Sequence, residues 1–391
     1  MNVLANLSTL RLVDHHCHGV ARRNLDRPGF EALLTEAGRP GEPGVSSFDS
    51  HVGFAFRRWC APVLDLAAGT SADEYIARRA ELGVDEVTRR FLGAAQLSAM
   101  CVDTGYTPEP LLSPAELGQA AGAPAYEVIR LESVAEEVIR GGGPAILFAE
   151  AVRHRLADVA RRAVAVKSIA AYRVGLELPG DRPTAVEVAT AAGRVLASAQ
   201  RSDAGPVRLA DPVLQRFLIW AGVDLGLPVQ IHTGYGDRDV DLHRCNPVLL
   251  TDLLRAIEPT GVPVVLLHTY PYHREAGYLA QVMGNVYVDV SLATHNLGAR
   301  SSALIAEALE LAPFGKFLFA SDAYGLPEHY YLGAFLFRRG LESVLRAGLA
   351  DDVWTEAEAG RLAELMGAGN ARRIYRFADQ PRSVSDLADL G

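Results

Sequence analysis

The chain has almost no lysine, few cysteines and no long apolar run. Of its 38 lysine and arginine residues, only Lys167 and Lys316 are lysines. In so arginine-rich a chain, a lysine is more often needed for its amine than as a generic cation. The four cysteines show no CxxC spacing, which argues against a zinc knuckle and against a disulfide framework. No apolar stretch is long enough to span a bilayer.

Basic clusters and targeting segments are also missing. The formal net charge is -9, and no basic cluster offsets it, so we expect no nucleic-acid surface. The N-terminus lacks a basic stretch followed by an apolar core and a small-residue cleavage site. We therefore expect a cytoplasmic protein that acts on a small molecule and binds neither nucleic acid nor membranes. A homo-oligomer is compatible with the sequence.

Common motifs for phosphate binding and covalent catalysis are absent as well. The run GGGP at 141–144 follows a predicted helix instead of a strand, so it indicates a turn. No GxSxG motif and no Cys/His arrangement predicts a nucleophilic side chain. What remains is a set of histidines and one aspartate at predicted strand ends.

His16 and His18 end the first predicted strand, in LRLVDHHCHGV. Residues two apart on a strand point to the same face, so these two imidazoles can bind one metal ion. Three more strand ends carry a ligand-type residue: His232 in PVQIHTG, His268 in VVLLHTY and Asp322 in FLFASDAYG. Because barrel enzymes keep their active sites at the carboxyl ends of their strands, the set predicts a metal site there.

Strand patterns alternate with helical patterns along the chain, which predicts a parallel βα architecture. The predicted strands are 11–18, 97–104, 126–132, 164–170, 228–233, 263–268, 285–290 and 316–322. Several are near-continuous apolar runs, typical of strands buried on both faces. A length of 391 residues would allow two or three domains, but a (β/α)8 TIM barrel of the α/β class reaches this size alone. We predict a single barrel domain over 1–391.

The connection between the first two strands, residues 19–96, is far longer than an ordinary βα loop. Its first part contains Pro28, Pro40 and Pro43 and is predicted to be loop. From Phe54 to Arg90 the pattern is helical. We therefore predict a helical insertion after strand 1 that stands over the barrel mouth and narrows access to the metal.

The order His-x-His, Lys, His, His, Asp resembles the amidohydrolase superfamily of metal-dependent TIM barrels. KSIAAYRVGLE, QIHTGYGD and GNARRIYRF most resemble the amidohydrolase 2 branch, in the fungal and plant nodulin-like proteins that fuse such a domain to a glutamine-synthetase-like domain. The resemblance covers nearly the whole chain. It implies a metal-dependent hydrolase that cleaves a C–N, amide-type bond of a small amino-acid-like substrate.

Two other functions stay open at this point. The amidohydrolase 2 branch also includes decarboxylases, and related barrels include isomerases, so a metal-dependent lyase is the first alternative. A catalytically inactive barrel that acts as a binding protein is the second. The complete ligand set argues against the second alternative, because a decayed site has no reason to retain every member.

The resemblance also implies roles for the residues. His16, His18 and His232 would bind the first metal ion, while Asp322 would touch it and take a proton from the activated water. His268 would contact substrate or water in a mononuclear site and bind the second ion in a binuclear one. Zinc is the first expectation for this donor set, with manganese, iron or nickel as alternatives.

Lys167 and Glu132 extend the candidate ligand set. In binuclear relatives a carboxylated lysine on strand 4 bridges two ions; an unmodified Lys167 would instead point at substrate. Arg130 and Glu132 are two apart on predicted strand 3, so Glu132 is either a metal ligand or the ion-pair partner of Arg130.

The remaining candidates flank the ligands. His15 is expected to point to the opposite face of its strand and to have a structural role or to support a ligand, and the role of Asp14 is left open. Arg173 suits a substrate carboxylate, because its planar guanidinium matches that group. The loops after strands 4, 5 and 6 supply the candidate substrate contacts, which are Arg173, Tyr172, Tyr235, Asp237 and Tyr270.

Overall fold

A computed structural model describes residues 7–200 and 207–377 of the chain. Its sheet contains parallel strands that follow one another in chain order, β1 to β7. Parallel neighbours joined by helical crossovers are the architecture predicted from the sequence, and the α/β class is confirmed. The strands are β1 Leu12–Cys17, β2 Leu97–Asp103, β3 Ala125–Arg130, β4 Ala163–Ser168, β5 Val229–His232, β6 Val264–Leu267 and β7 Val286–Val288.

Residues 317–323 lie between β7 and β1 and link the two edges of the sheet. On one side the Leu318 amide donates to the Val288 carbonyl at 3.0 Å, and on the other the His15 amide donates to the Phe319 carbonyl at 3.2 Å. The segment occupies the place of the predicted eighth strand, but it is not a regular strand, so that element of the prediction is wrong.

Side chains divert the hydrogen bonds that an eighth strand would need. A regular parallel ladder would pair the Ser321 amide with the His15 carbonyl. Instead, the Ser321 amide donates to Asp14 Oδ1 at 2.9 Å. The His15 carbonyl accepts from Gln230 Nε2 at 2.8 Å. The buried Asp14 therefore fixes the segment that carries Asp322.

Helices cover the outside of the sheet and both of its ends. In chain order they are α1 Arg27–Leu34, α2 His51–Ala55, α3 Ala72–Leu82, α4 Val84–Ala95, α5 Pro114–Ala121, α6 Leu131–Gly141, α7 Phe148–Ala160, α8 Ala170–Arg173, α9 Ala185–Ala199, α10 Pro212–Asp224, α11 Thr251–Ile257, α12 His273–Val282, α13 Ala293–Asn296, α14 Ser301–Ala308, α15 Pro327–Ala350, α16 Glu356–Glu364 and α17 Asn370–Tyr375. Four of them (α3, α5, α9 and α16) begin with a capping box, which explains where each starts.

The second part of segment 19–96 is helical as predicted. In its first part the predicted loop is wrong at α1, whereas Pro40 and Pro43 lie in non-helical backbone. Helix α1 starts after Asp26, whose side chain accepts from the Gly29 amide. Pro28 lies in the first turn, where the missing amide proton leaves no bond unmade. Aromatic side chains including Phe30 and Phe56 form a separate apolar cluster that packs against α15.

The barrel interior holds a small apolar cluster with Val13, Cys101 and Val265, and α17 packs against it from one end through Tyr375. A larger cluster fills the space between the sheet and the outer helices. Among the helices of the described ranges, none has the length and apolarity that a membrane crossing requires.

Candidate metal centre and cavity

The strand register sets three polar side chains in one row across the barrel. Arg130 on β3 pairs with Lys167 on β4, and Lys167 pairs with Gln230 on β5. All three therefore lie at the same height, and His232 follows two residues later on the same face as Gln230. Gln230 was not predicted as a site residue, although its parity with His232 places it directly below.

Strand β1 departs from simple alternation. His15 was predicted to point away from the site, but its side chain lies on the same side as that of His16. The pairing of β1 with β2 shifts register between Asp14 and Cys17. His15 Nδ1 lies 3.0 Å from the Tyr375 hydroxyl, and that hydroxyl accepts from Gln230 Nε2 at 2.9 Å. His15 therefore belongs to the polar network beneath the site.

His16, His18 and Asp322 form a compact group of potential metal ligands, with donor atoms within 4.8 Å of one another. His16 Nε2 lies 3.1 Å from Asp322 Oδ1, and His18 Nε2 lies 3.4 Å from the same oxygen. Two imidazoles and one carboxylate that converge in this way are a donor set suited to a divalent transition metal.

Neighbouring groups fix the tautomer of both histidines. His16 Nδ1 lies 2.9 Å from Gln230 Oε1, and His18 Nδ1 lies 3.2 Å from the Asp103 carbonyl. Both partners are acceptors, because the Gln230 amide nitrogen donates to the His15 carbonyl. Each Nδ1 therefore carries the proton, and each Nε2 offers its lone pair to the site.

His268 faces the other oxygen of the same carboxylate. Its Nδ1 lies 3.4 Å from Asp322 Oδ2 and 2.8 Å from Ser291 Oγ. Ser291 gives its single hydroxyl proton to Asp289 at 2.6 Å, so it accepts from His268. His268 Nε2 is left with a lone pair and no hydrogen-bond partner among the described residues.

The backbone is left-handed at both residues that face each other here. His268 has φ 71° and Asp322 has φ 51°, values that residues other than glycine rarely adopt. Leu267 faces the apolar barrel interior, so a regular strand would turn His268 outward. The left-handed turn brings its imidazole into the site instead.

Lys167 lies beside the ligand group rather than apart from it. Its Nζ is 2.8 Å from His16 Nε2 and 3.4 Å from Asp103 Oδ2. Asp103 also pairs with Arg130 at 2.6 Å. Asp103 therefore faces two basic side chains, and it cannot neutralise both when the Lys167 amine is protonated. Asp103 was not predicted; it ends β2, where the register pairs it with Val128, two residues before Arg130.

Burial sets the protonation states of these groups. Burial and the nearby Lys167 lower the pKa of His16 to about 4, and burial lowers the pKa of Lys167 against the opposing effect of Asp103. Burial also holds the pKa of His268 well below its ordinary value. For Asp322 burial acts upward, but the three facing histidines outweigh it and hold the pKa well below its usual range. At neutral pH His16 and His268 are neutral and Asp322 is a carboxylate.

His232 lines the cavity but lies outside the ligand group. Its ring centroid is 4.5 Å from that of His268 and 4.4 Å from that of Tyr172. His232 Nε2 has no hydrogen-bond partner among the described residues, and the side chain is buried. The structure thus groups Asp322, rather than His232, with the two β1 histidines.

Glu132 was predicted on β3, but that strand ends at Arg130 and Glu132 lies in the first turn of α6. Its carboxylate accepts from Ser168 Oγ at 2.8 Å and from the Ile169 amide at 2.9 Å. The expected ion pair with Arg130 is replaced by the pair that Arg130 forms with Asp103. Glu132 therefore ties α6 to the end of β4 and does not line the cavity.

A cavity of about 570 Å³ opens above the ligand group. Of the predicted substrate contacts, Tyr172, Arg173 and Asp237 line it. Tyr235 and Tyr270 are not among its lining residues, and their rings contact one another with centroids 6.3 Å apart. Arg173 forms an ion pair with Glu136 at 3.2 Å, while its buried Nε has no partner in the described chain.

Helix α1 and the segment after it contribute to the cavity wall, and so do residues that the sequence did not single out. Leu33 and Glu36 come from this part of the insertion. The histidines His295 and His329 come from α13 and α15. Neither lies on a predicted strand, so strand alternation could not have found them.

An amidohydrolase family model, Amidohydro_2, matches residues 119–377, about two thirds of the chain. The chain belongs to the amidohydrolase family. The match begins after β2, so the amidohydrolase assignment rests on β3 to α17, and the His16–His18 pair lies upstream of it. The family places this protein among metal-dependent hydrolase-type enzymes that act on small molecules, and it implies a divalent metal.

Two relatives resemble this amidohydrolase over nearly its full length. Protein fluG of Emericella nidulans is 26% identical across 98% of the chain, and the chain spans about half (48%) of that relative's length. The crystal structure of a proposed metal-dependent hydrolase from Lactobacillus casei is 29% identical, with TM-score 0.81 over 98% of this chain and 99% of that one.

A glucuronate isomerase from Caulobacter crescentus shares the fold at lower similarity. It is 15% identical with TM-score 0.63, over 97% of this chain and 94% of that one. At this identity the likeness concerns the fold alone. The same barrel architecture therefore carries both hydrolase and isomerase descriptions, and the site must decide the chemistry.

The residues present fit a divalent metal. Two lone pairs and a carboxylate oxygen converge, and Asp322 Oδ1 accepts no hydrogen bond from the described residues. Buried polar atoms in folded proteins nearly always have a partner, so such a cluster indicates a place for a ligand. His16, His18 and Asp322 would hold the ion, with His232 and His268 beside it.

Proposed function

We propose that this amidohydrolase cleaves the C–N bond of an amide in a small amino-acid-like substrate that carries a carboxylate. The observation that carries the proposal is the convergence of His16, His18 and His268 on Asp322, at the base of a cavity with cationic side chains. A divalent ion, zinc by first expectation, would polarise the amide carbonyl and lower the pKa of the attacking water.

Asp322 is the proposed proton carrier. Its carboxylate is ionised at neutral pH, so it can accept a proton from the attacking water as the new C–O bond forms. The same carboxyl then protonates the amine nitrogen as the C–N bond breaks. The products are a carboxylic acid and an amine or ammonia, and the enzyme returns to its starting protonation state.

The flanking residues position the substrate in this proposal. Arg173 is placed to bind a substrate carboxylate, with Arg130 nearby and not fully neutralised by Asp103. Tyr172 and Asp237 line the same wall. In a site with one ion, His268 Nε2, with its free lone pair, is the second acceptor for the proton if Asp322 is replaced.

Lys167 keeps the two roles that the sequence allows. Carboxylated, it would bridge two ions; unmodified, it would face substrate beside Asp103. Its lowered pKa favours the neutral amine that carboxylation requires. Growth on ¹³C-bicarbonate followed by ¹³C NMR of the metal-loaded protein would show a carbamate carbon in the first case and none in the second.

The test of the proposed function is a product assay on metal-loaded protein with γ-glutamyl amides and related N-acyl compounds. We expect release of amine or ammonia. Carbon dioxide release from a carboxylated substrate, without amine, would replace hydrolysis with the decarboxylase alternative. A protein that takes up no divalent metal would overturn both.

A further inference from the structure

Two buried histidines line the cavity away from the ligand group. His295 lies in α13, after β7, and His329 lies in the first turn of α15. Their side chains are 1% and 5% exposed, and their rings stack with centroids 4.4 Å apart and an interplanar angle of 19°. The edge of Phe56, from the insertion, contacts His329 at 5.4 Å between centroids.

Each ring has one nitrogen bonded to the backbone and one without a partner. His295 donates to the Ser321 carbonyl, and His329 donates to the carbonyls of Tyr324 and Leu34. His295 Nδ1 and His329 Nε2 have no hydrogen-bond partner among the described residues. Because the bonded nitrogen of each neutral ring carries the proton, each remaining nitrogen is an acceptor.

Both rings are neutral under physiological conditions. Burial lowers the pKa of His329 to about 4 and holds that of His295 well below its ordinary value. Two neutral acceptors side by side favour a ligand that donates hydrogen bonds, since buried polar atoms rarely stay unpaired.

The two sides of the cavity carry different charged side chains, so they suit different groups of a ligand. The β3–β4 side holds Arg130, Lys167 and Arg173. The side formed by α1, α13 and α15 holds Glu36, which forms no ion pair with any cation of the described ranges, while Arg23, just before α1, is paired with Glu109 at 2.7 Å. Burial and the carboxylates of the site raise the pKa of Glu36 to about 8, and a bound cation would reverse that effect.

We propose that His295, His329 and Glu36 form a subsite for a primary ammonium group of the substrate. The strand order places it across the barrel from Arg130 and Arg173. The inference rests on the proposed function, because an amino-acid-like amide carries an ammonium as well as a carboxylate. It adds a recognition element that the ligand group itself does not supply.

Two cations of equal charge test the subsite without a known substrate. Full-length, metal-loaded protein with ¹⁵N-labelled histidine rings is titrated with methylammonium and, separately, with tetramethylammonium, which has no N–H. We expect methylammonium to shift the two acceptor nitrogens of His295 and His329, and tetramethylammonium to leave them unchanged. No shift with methylammonium, or equal shifts with both cations, would overturn the subsite.

Substitutions assign the signals and measure the contribution of each ring. His295→Leu and His329→Leu should each lower methylammonium affinity about tenfold, the loss expected for one hydrogen bond to a charged donor. His295→Asn and His329→Gln place a carbonyl oxygen near the lost nitrogen and should retain most of the affinity. These two variants decide the matter if a leucine variant does not fold.

The matched control is His273→Leu. His273 is also a buried histidine, but it pairs with Glu307 at 2.9 Å and does not line the cavity. Its substitution should leave methylammonium affinity unchanged; an equal loss would count against a local subsite. Ammonium binding without amide hydrolysis would overturn the proposed function alone, whereas hydrolysis without ammonium contact at these rings would overturn the subsite alone.

Discussion

The floor and the mouth of the barrel differ in how their buried polar groups are bonded. On the floor, Gln230 contacts His16, the His15 carbonyl and the Tyr375 hydroxyl, so its amide is fully used. Two floor atoms, His15 Nε2 and Asp289 Oδ2, make no hydrogen bond with the described residues, but they lie 2.9 Å from each other. At the mouth, several buried side-chain atoms have no hydrogen-bond partner in the described chain. These atoms are His232 Nε2, His268 Nε2, Asp322 Oδ1, His295 Nδ1 and His329 Nε2.

This difference distinguishes floor residues, which position the ligand side chains through hydrogen bonds, from mouth residues, whose unpaired atoms are available to a ligand. An unpaired buried polar atom costs about 1–3 kcal/mol, so a group of them must be retained for another reason. The left-handed residues His268, Leu292 and Asp322 lie at the same end. Strain of this kind collects at functional sites. Substitutions at the floor should therefore alter stability, while those at the mouth should alter chemistry.

The largest effect is expected for Asp322→Asn. Asparagine nearly matches aspartate in shape and keeps one carbonyl oxygen for a metal, so the fold and much of the metal should remain. It cannot accept a proton, and turnover should fall by roughly 10²–10⁴-fold. Rate and bound metal are measured on the same preparation, with the exposed-loop variant Asp241→Asn as control. Near-normal turnover in the metal-replete variant would show that another residue accepts the proton, with His268 as the first candidate.

His18→Ala should lose metal and activity together. It removes one of the two β1 lone pairs while leaving Asp322 in place. Elemental analysis after dialysis, beside the rate at saturating added metal, separates this outcome from the previous one. Full metal occupancy in His18→Ala would show that His16, Asp322 and His232 suffice to bind the ion.

Gln230→Leu tests the floor. Leucine has a similar volume but leaves His16 Nδ1 without the acceptor that fixes its tautomer. Loss of such a supporting partner typically lowers metal affinity about 10–100-fold. The stability of the metal-free protein should fall by about 1–3 kcal/mol, because Tyr375 also loses its donor. Urea unfolding and a metal-competition titration measure the two effects; wild-type values for both would contradict the floor's role.

Strand parity predicted part of this site and failed at identifiable residues. It placed His16, His18 and His232 at strand ends that face one cavity, because a regular strand alternates its side chains. It failed for His15, since a register shift in β1 brings adjacent residues to the same side. The strand-end pattern also placed His268 and Asp322 at this face, but both reach the site through left-handed backbone, which alternation does not predict.

Long-range contacts account for what the sequence could not predict. Pro28 suggested loop, yet Asp26 caps a helix there whose end reaches the cavity. Residues 316–322 are apolar enough to predict an eighth strand. However, the Ser321 amide donates to the side chain of Asp14, 307 residues away in the sequence, instead of to a neighbouring strand. The partner of Arg130 is Asp103, on the neighbouring strand, rather than Glu132. Each of these depends on a neighbour that only the fold supplies.

The smallest effect expected at neutral pH is that of His329→Gln, which changes the pH dependence of stability only in acid. The pKa of His329 falls from the ordinary 6.5 to about 4 in the folded protein, mainly through burial, with Glu328 and Asp322 acting in the opposite direction. As the pH falls below about 6.5, the unfolded chain binds this proton before the folded one, so folding stability decreases until about pH 4. Glutamine does not titrate, so His329→Gln should be spared this loss.

The measurement is the difference between two stability curves. Urea unfolding of wild type and His329→Gln, without added metal, should show a gap that widens by up to roughly 3 kcal/mol between pH 6.5 and 4, since each pKa unit corresponds to about 1.4 kcal/mol. Other titrating groups, including Asp14 with its pKa raised to about 7, contribute to both curves and cancel. The exposed His243→Gln variant should follow wild type. Parallel curves for wild type and His329→Gln would mean that the ring accepts a proton inside the folded cavity, and that the mouth tolerates charge there.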